Sequence, residues 1–284
     1  IFGSFFGPDP LSLLSVVILT SLGTWGLPQM VQKFYAIDNE DSIKKGTIIS
    51  TIFALVVSGG CYFLGGFGRL FSDKIDIAAN GYDSIIPTML ENLHPLLIAL
   101  VVILVLSASM STLSSLVIAS SSTLTIDLIK DNIVKEMSDK KQVFCIRVLI
   151  VIFIAISAII AIIQYKSAVT FIAQLMGISW GALAGSFLAP FLYSLYWKKT
   201  TKAACWTSFI FGCIIMVLNL VAGSHFPTLL QSPINCGAFA MLAGLIIVPV
   251  VSLFTKKPDT ALIENTFACY DKTNTVTQKT ALGK

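Results

Sequence analysis

Charged side chains are scarce in this chain, at 12% of 284 residues, whereas soluble domains average about 25%. HExxH, GxSxG, P-loop and dinucleotide-binding glycine patterns are all missing from the sequence. The six cysteines include no CxxC pair, and neither of the two histidines has a second ligand at zinc spacing. These absences exclude an ordinary soluble domain, disfavour an enzyme and predict no bound cofactor.

Long apolar runs take the place of the missing charge. Hydrophobic residues make up 55% of the chain, and the mean hydropathy is +0.85. A helix needs roughly 20 apolar residues to cross a bilayer. Runs of that kind occur at residues 11–30, 47–67, 95–125, 143–163, 169–196, 203–222 and 236–254. The sequence therefore predicts an all-α membrane protein of about seven transmembrane spans.

The sequence predicts where the membrane domain ends and suggests that the chain is a fragment. Residues 1–255 form the predicted transmembrane helical domain, and residues 256–284 read as a mobile, polar cytoplasmic tail with a short interfacial helix within 261–270. No secretory signal is visible ahead of the first apolar run, and the chain starts at Ile1. We expect it to be a piece of something longer.

Basic residues predict the orientation of the spans. If the first span runs from outside to inside, sixteen of the 19 Lys and Arg residues fall in cytoplasmic segments. This bias follows the positive-inside rule, and it predicts a multi-pass plasma-membrane protein with a cytoplasmic C-terminus. It also accounts for the net charge of +4 without a nucleic-acid partner, since a basic tail beside a bilayer meets anionic lipid.

One predicted span carries eleven Ser or Thr hydroxyls, within LSASMSTLSSLVIASSSTLTI at residues 106–126. Each unpaired polar group in hydrocarbon costs on the order of 2–7 kcal/mol, so this helix is expected to line a wet or ion-coordinating interior. Ala108, Ser111 and Thr112 share one face at spacing i, i+3, i+4. A carbonyl freed by helix distortion at Ala108 and two hydroxyls would suit a monovalent cation. The alternative is that the hydroxyls bond to backbone carbonyls or permit close helix packing.

The first predicted span contains helix-breaking residues. Gly23, Gly26 and Pro28 lie within six residues of each other in TSLGTWGLPQM. Proline cannot donate a backbone hydrogen bond and glycine gains freedom on unwinding, so a broken helix is predicted here. Non-helical backbone at membrane depth lines cavities and can coordinate substrate or ion. A proline kink that only tunes packing is the alternative.

These stretches, in this order, resemble the sodium:solute symporter family. GTWGLPQM at residues 23–30 is similar to the family's glycine-broken helix. ASMST at 108–112 and SSTLTIDLIK at 121–130 are similar to its ion-binding helix. GISWGALAGSFLAPFLYSLYW at 177–197 looks like its tenth core helix. The resemblance extends over residues 11–254.

The resemblance implies a LeuT-like fold of two inverted five-helix repeats. This chain would then supply the second inverted repeat, core helices six to ten, plus two peripheral helices. The first repeat, the N-terminal half of the symporter, would be the missing partner. By resemblance, sodium is the coupling ion and is bound by Ala108, Ser111 and Thr112. The substrate would be faced by Thr24, Trp25 and Gln29.

The function implied is sodium-coupled symport of a small organic solute by alternating access. Some sugar-transporting relatives have an aromatic residue where Thr24 stands, so an amino acid or carboxylate is favoured over a sugar. The alternative function is a membrane sensing or scaffold module derived from a symporter. A small-residue surface on the span at 169–196 favours close helix packing, with a flexing gate near Trp180 as the alternative. Its members are Gly177, Gly181, Ala182, Ala184 and Gly185.

Overall fold

The computed structural model describes residues 9–28, 30–31, 37, 40–74, 81–134, 136–167 and 172–271, and every regular element in this part is helical. The α-helices are α1 Pro10–Ser21, α2 Glu40–Gly66, α3 Ile85–Leu90, α4 Pro95–Thr123, α5 Asp139–Ser167, α6 Ile172–Tyr196, α7 Lys202–Ala222, α8 Thr228–Gln231, α9 Pro233–Phe254 and α10 Thr260–Phe267. A π-helix, Leu124–Ile133, continues α4. The predicted all-α class is confirmed.

Six helical stretches of the described chain are long and apolar enough to cross a membrane. They are Asp41–Phe71, Pro95–Ile133, Asp139–Ile163, Gln174–Tyr196, Lys202–His225 and Pro233–Phe254. The first predicted span differs, because α1 is a helix of only 12 residues that stops within it. The all-α membrane class therefore stands, with six continuous spans and an interrupted apolar segment in place of seven continuous ones.

The chain divides into two compact units. Unit 1 comprises residues 1–55 and 172–284, and unit 2 comprises residues 56–171. In unit 1, helices α6, α7 and α9 pack on one another, and α1 packs on α9 and α6. Leu19, Ala184, Leu188 and Met241 form a buried cluster there, with Trp180 packed against it. The proposed gating role of Trp180 stays a prediction.

Glycine allows the helices of unit 1 to approach closely. A Cβ atom on Gly212 would lie 2.6 Å from the carbonyl oxygen of Gly185, and one on Gly181 would lie 2.8 Å from the Cα of Gly237. Such distances leave no room for a side chain. The small-residue surface of α6 is therefore a packing surface, as the sequence favoured.

Unit 1 also pairs polar groups between its helices. Pro249 lacks an N–H, so the carbonyl of Leu245 one turn earlier loses its helical donor. The hydroxyl of Tyr193 donates to that carbonyl at 2.9 Å. The side-chain amide of Asn219 donates to the carbonyl of Leu230 at 2.7 Å, which holds the connection that precedes α9.

The start of α1 is fixed by capping. Asp9 is the N-cap and accepts a hydrogen bond from the backbone N–H of Ser12 at 3.1 Å. The Ser12 hydroxyl, and then its backbone N–H, hold the pKa of the Asp9 carboxyl below its usual value. The side-chain amide of Asn235 also reaches the Ser12 hydroxyl at 3.5 Å, so this end of α1 is tied to α9.

The helices of unit 2 are much less buried than those of unit 1. The end of α4 and the π-helix pack against α5, and α3 packs against the turn Phe67–Lys74. Large apolar side chains on α4 and α5 are mostly exposed, as expected of surfaces that meet lipid or a protein partner. The helical backbone runs on to Ile133, past the end at residue 125 that the sequence predicted.

The described part of the predicted tail contains a short helix, and the mobility of the tail stays a prediction. α10 and the 3₁₀ turn Ala268–Asp271 lie where a short helix was predicted within 261–270. The Tyr270 hydroxyl donates to the carbonyl of Leu195 at 2.9 Å, and the Lys198 Nζ lies 5.4 Å from the centre of the Phe267 ring. These contacts fix α10 to the end of α6. The predicted tail beyond residue 271 lies outside the described residues.

Candidate functional site

Helix α4 brings the three predicted sodium ligands together on one turn in unit 2. Ala108, Ser111 and Thr112 are all exposed. Ala108 and Thr112 line a shallow open groove along the helix, together with Ser109, Leu113 and Leu116. The turn therefore presents oxygen atoms to whatever covers this face.

The hydrogen bonds of α4 separate two kinds of hydroxyl. Ser114 donates to the carbonyl of Met110 at 2.7 Å, and Ser115 donates to the carbonyl of Thr112 at 2.8 Å. Within the described part of the chain, the side chains of Ser111 and Thr112 have no hydrogen-bond partner. Backbone bonding therefore accounts for Ser114 and Ser115. It does not account for the two hydroxyls predicted to bind an ion.

The expected distortion at Ala108 is wrong. α4 is a continuous α-helix from Pro95 to Thr123, so the carbonyl of Ala108 keeps its place in the helical hydrogen-bond pattern. A carbonyl oxygen has two lone pairs, and the helical bond uses one of them. Ala108 can still offer the second lone pair to a cation, without any unwinding of the helix.

The chemistry of this turn suits a weakly held monovalent cation. Its oxygens are neutral, whereas Ca²⁺ and Mg²⁺ sites use carboxylates. Among the described residues, no group of three or more His, Cys, Asp or Glu side chains could hold a metal ion. A divalent or transition metal therefore has no ligand set in the part of the chain that the structure describes.

The first apolar segment is broken in unit 1, as the glycines and the proline predicted. α1 ends at Ser21, and a 3₁₀ turn occupies Gly23–Gly26. Leu27 then takes extended backbone angles, with φ −89° and ψ 114°. A Cβ on Gly26 would lie 2.9 Å from the Cβ of Leu188, so only glycine allows this turn to lie so close to α6.

The predicted substrate residues on this break differ in their availability. Thr24 is half-buried, and its hydroxyl donates to the carbonyl of Ser21 at 2.9 Å, which leaves its oxygen lone pairs free to accept. Trp25 is 58% exposed, so its ring is free to contact a solute or another segment. Gln29 lies outside the described residues. The roles of all three stay predictions.

Sequence reasoning could place the hydroxyls on a face but could not tell which were already bonded. Ser111, Thr112, Ser114 and Ser115 look equivalent in the sequence, yet two of them donate to the backbone and two do not. Rotamers decide this difference, and residue spacing carries no signal for it.

Comparison with known proteins connects both stretches to one family. The profile of the sodium:solute symporter family matches residues 6–212, which include the broken segment and α4. Osmoregulated proline transporter OpuE of Bacillus subtilis (strain 168) is 26% identical over 255 residues, which cover 89% of this chain and 50% of that protein. High-affinity proline transporter PutP of the same strain is 27% identical over 265 residues, or 93% of this chain and 54% of that protein.

A third relative, the sodium/proline symporter of Staphylococcus aureus, is 28% identical over 257 residues, covering 87% of this chain and 49% of that protein. The chain thus spans about half the length of the curated relatives it matches. No solved structure matches it. The sodium:solute symporter family consists of transporters and not enzymes. Because the profile of that family covers most of its residues, the chain belongs to the sodium:solute symporter family.

Proposed function

We propose that this chain forms part of a secondary active transporter that couples sodium entry to the uptake of a small amino acid by alternating access. The observation that carries the proposal is the pair of unpartnered hydroxyls on Ser111 and Thr112, within the described residues, beside neighbours that are bonded to the backbone. Two free neutral oxygens and the second lone pair of the Ala108 carbonyl form half of a sodium coordination shell.

The other half of that shell comes from a segment that this chain does not supply. We propose that the full protein has the LeuT-like fold of two inverted repeats, and that residues 1–255 supply core helices six to ten and two peripheral helices. The exposure of α4 supports this arrangement, since a hydroxyl-rich face needs a protein partner at membrane depth. The N-terminal half of the symporter is that partner.

The proposed solute is proline or a close relative of it. The relatives named above are proline transporters, which supports this choice. Thr24, Trp25 and Gln29 are the proposed substrate-facing residues, and Thr24 and Trp25 lie in the 3₁₀ turn that interrupts the helix. Thr24 offers a hydroxyl oxygen instead of an aromatic face for a sugar ring, which again favours an amino acid or carboxylate.

Coupling follows from differential affinity. Sodium bound beside Ser111 and Thr112 would stabilise an outward-open state that binds solute more tightly, and release to low cytoplasmic sodium would reverse that preference. The membrane potential adds about 2.3 kcal/mol per charge moved for each 100 mV. We propose a multi-pass location in the plasma membrane with the C-terminus in the cytoplasm, on the positive-inside argument.

Uptake by the full-length protein tests this function. The protein would be reconstituted into liposomes, and radiolabelled L-proline uptake would be followed under an inward sodium gradient and under an equal potassium gradient. We expect concentrative uptake with sodium only, abolished by a sodium ionophore. Glucose in place of proline, and liposomes without protein, are the controls.

Two results would overturn the proposal. Proline uptake that is equal with and without the sodium gradient would remove the coupling. Absence of uptake of any amino acid or short carboxylate by correctly inserted protein would favour the alternative of a sensing or scaffold module.

A further inference from the structure

Two other hydroxyls of unit 2 are buried and have no partner. Ser121 and Thr125 are both 0% exposed, and among the described residues neither side-chain oxygen has a hydrogen-bond partner. Hydroxyls in helices commonly donate to a backbone carbonyl one turn earlier, as the exposed Ser114 does here, and buried hydroxyls are normally hydrogen-bonded. A buried polar group left unpaired costs about 1–3 kcal/mol, and a ligand that contacts both hydroxyls would offset that cost.

The pair lies where the backbone changes form. α4 ends at Thr123, and the π-helix begins at Leu124, so Ser121 and Thr125 flank the junction. At the junction the Leu124 N–H is shared between the carbonyls of Ser120 and Ser121. π-helical backbone is rare and often lies at functional sites. The four-residue spacing places both hydroxyls on one face.

This face continues the line of the proposed sodium site. Thr125 follows Ser111 by fourteen residues, which is about four helical turns, so the two lie on nearly the same side of the helix. Ser121 lies about 15 Å along the axis from Ser111 and is rotated from it by about 80° around the helix. The direction from Ser111 to Thr125 runs towards the end of the helix that we propose to be cytoplasmic. The buried pair therefore lies on the proposed cytoplasmic side of Ser111, on the same helix.

We propose that the hydroxyls of Ser121 and Thr125 form a second, weaker monovalent-cation site that holds sodium, with its remaining water, during release to the cytoplasm. The inference rests on the proposed sodium coupling and extends it. The two hydroxyl oxygens are neutral, which matches a site that must release its ion quickly. Asp127 is exposed and two residues beyond Thr125, on a different side of the helix, so this site does not use it.

The proposed second site can be tested by measuring how sodium inside the liposomes inhibits proline uptake. In liposomes containing the full-length protein, initial proline uptake at a fixed external sodium concentration would be recorded against increasing internal sodium. For Ser121→Ala and for Thr125→Val we expect the internal sodium concentration for half-inhibition to rise about fivefold, because each variant removes one ligand. The external sodium concentration for half-maximal uptake should stay within about twofold of the unmodified protein.

Thr123→Val is the matched control, because Thr123 is exposed on the opposite side of the helix and the substitution also removes a threonine hydroxyl. It should leave half-inhibition by internal sodium unchanged. Both test variants nearly keep the side-chain size and remove a buried unpaired oxygen, so the thermal stability of the purified protein should hold or rise.

Three results would contradict these expectations. Unchanged internal inhibition in stable Ser121→Ala and Thr125→Val proteins would overturn the second site and leave the proposed function intact. A parallel rise in the external sodium requirement would assign the effect to the first site and also overturn this inference. Sodium-independent uptake by the unmodified protein would instead overturn the proposed function, and this inference with it.

Discussion

The two units of the chain contain helices of similar apolar character that are packed very differently. In the most apolar stretches of α6, α7 and α9, between 28% and 39% of the residues are buried within the chain. In those of α4 and α5 the share is 0%. The helices of unit 1 pack on one another through close contacts at glycines. In unit 2, the hydroxyl-rich helix α4 is exposed at Ala108, Ser111 and Thr112. The residues that pack helices together and the residues that we propose to bind sodium thus lie in different units.

Residue type explains the difference. α6, α7 and α9 place glycines at their crossing points, and two of these crossings bring backbone atoms within the reach of a single Cβ. α4 has serine and threonine where those helices have glycine, and the glycines of α2 have no atom of another segment within 4 Å of the place a Cβ would take. Small apolar residues therefore mark helix contacts made within this chain, whereas small polar residues mark a face that suits another partner.

The largest loss of stability is expected where two helices of unit 1 cross most closely. Gly212→Ala would place a methyl group 2.6 Å from backbone atoms of Gly185, so the helices must move apart. We expect the free energy of unfolding to fall by about 2–3 kcal/mol, measured as loss of the monodisperse protein after heating in detergent. Gly59→Ala on α2 is the control, because nothing lies within 4 Å of its Cβ position.

The control should be neutral or stabilising by up to about 1 kcal/mol, since alanine favours a helix over glycine. Equal losses of stability in Gly212→Ala and Gly59→Ala would contradict the distinction between the two kinds of helix surface.

A smaller loss of stability is expected when one hydrogen bond between helices of unit 1 is removed. Tyr193→Phe removes the donor that satisfies the carbonyl left free by Pro249, so we expect a loss of about 1–2 kcal/mol of stability. Tyr62→Phe on α2 is the control, because Tyr62 is 78% exposed. Thermal unfolding of both variants in detergent measures the difference. The same midpoint for both would mean that the bond to Leu245 contributes nothing.

The sequence predicted the features that depend on residue type and spacing. Gly23, Gly26 and Pro28 predicted the broken segment, and the structure has a 3₁₀ turn followed by extended backbone there. The small residues of α6 predicted close packing, which the contact of Gly181 with Gly237 bears out. Both results follow from local conformational freedom and side-chain volume, which can be read from a sequence.

Features that depend on which hydrogen bonds form, or on how far a helix continues, could not be predicted from residue type and spacing. A distortion was expected at Ala108, yet α4 is continuous there, and Ser114 and Ser115 bond to carbonyls without breaking the helix. The π-helix was also missed, since a change from i+4 to i+5 pairing has no residue signature in LTIDLIKDNI. The docking of α10 depends on a contact between Tyr270 and Leu195, 75 residues apart.

The most direct test of the central claim is a sodium titration of proline uptake by the full-length protein carrying Ser111→Ala or Thr112→Val, beside Ser114→Ala. We expect each of the first two substitutions to raise the sodium concentration for half-maximal uptake about tenfold, because each removes a free oxygen ligand worth about 1.4 kcal/mol. Ser114→Ala, whose hydroxyl is bonded to Met110, should change it by less than about twofold. An unchanged sodium requirement in Ser111→Ala and Thr112→Val, or the same rise in all three variants, would contradict the claim that these two hydroxyls bind the coupling ion.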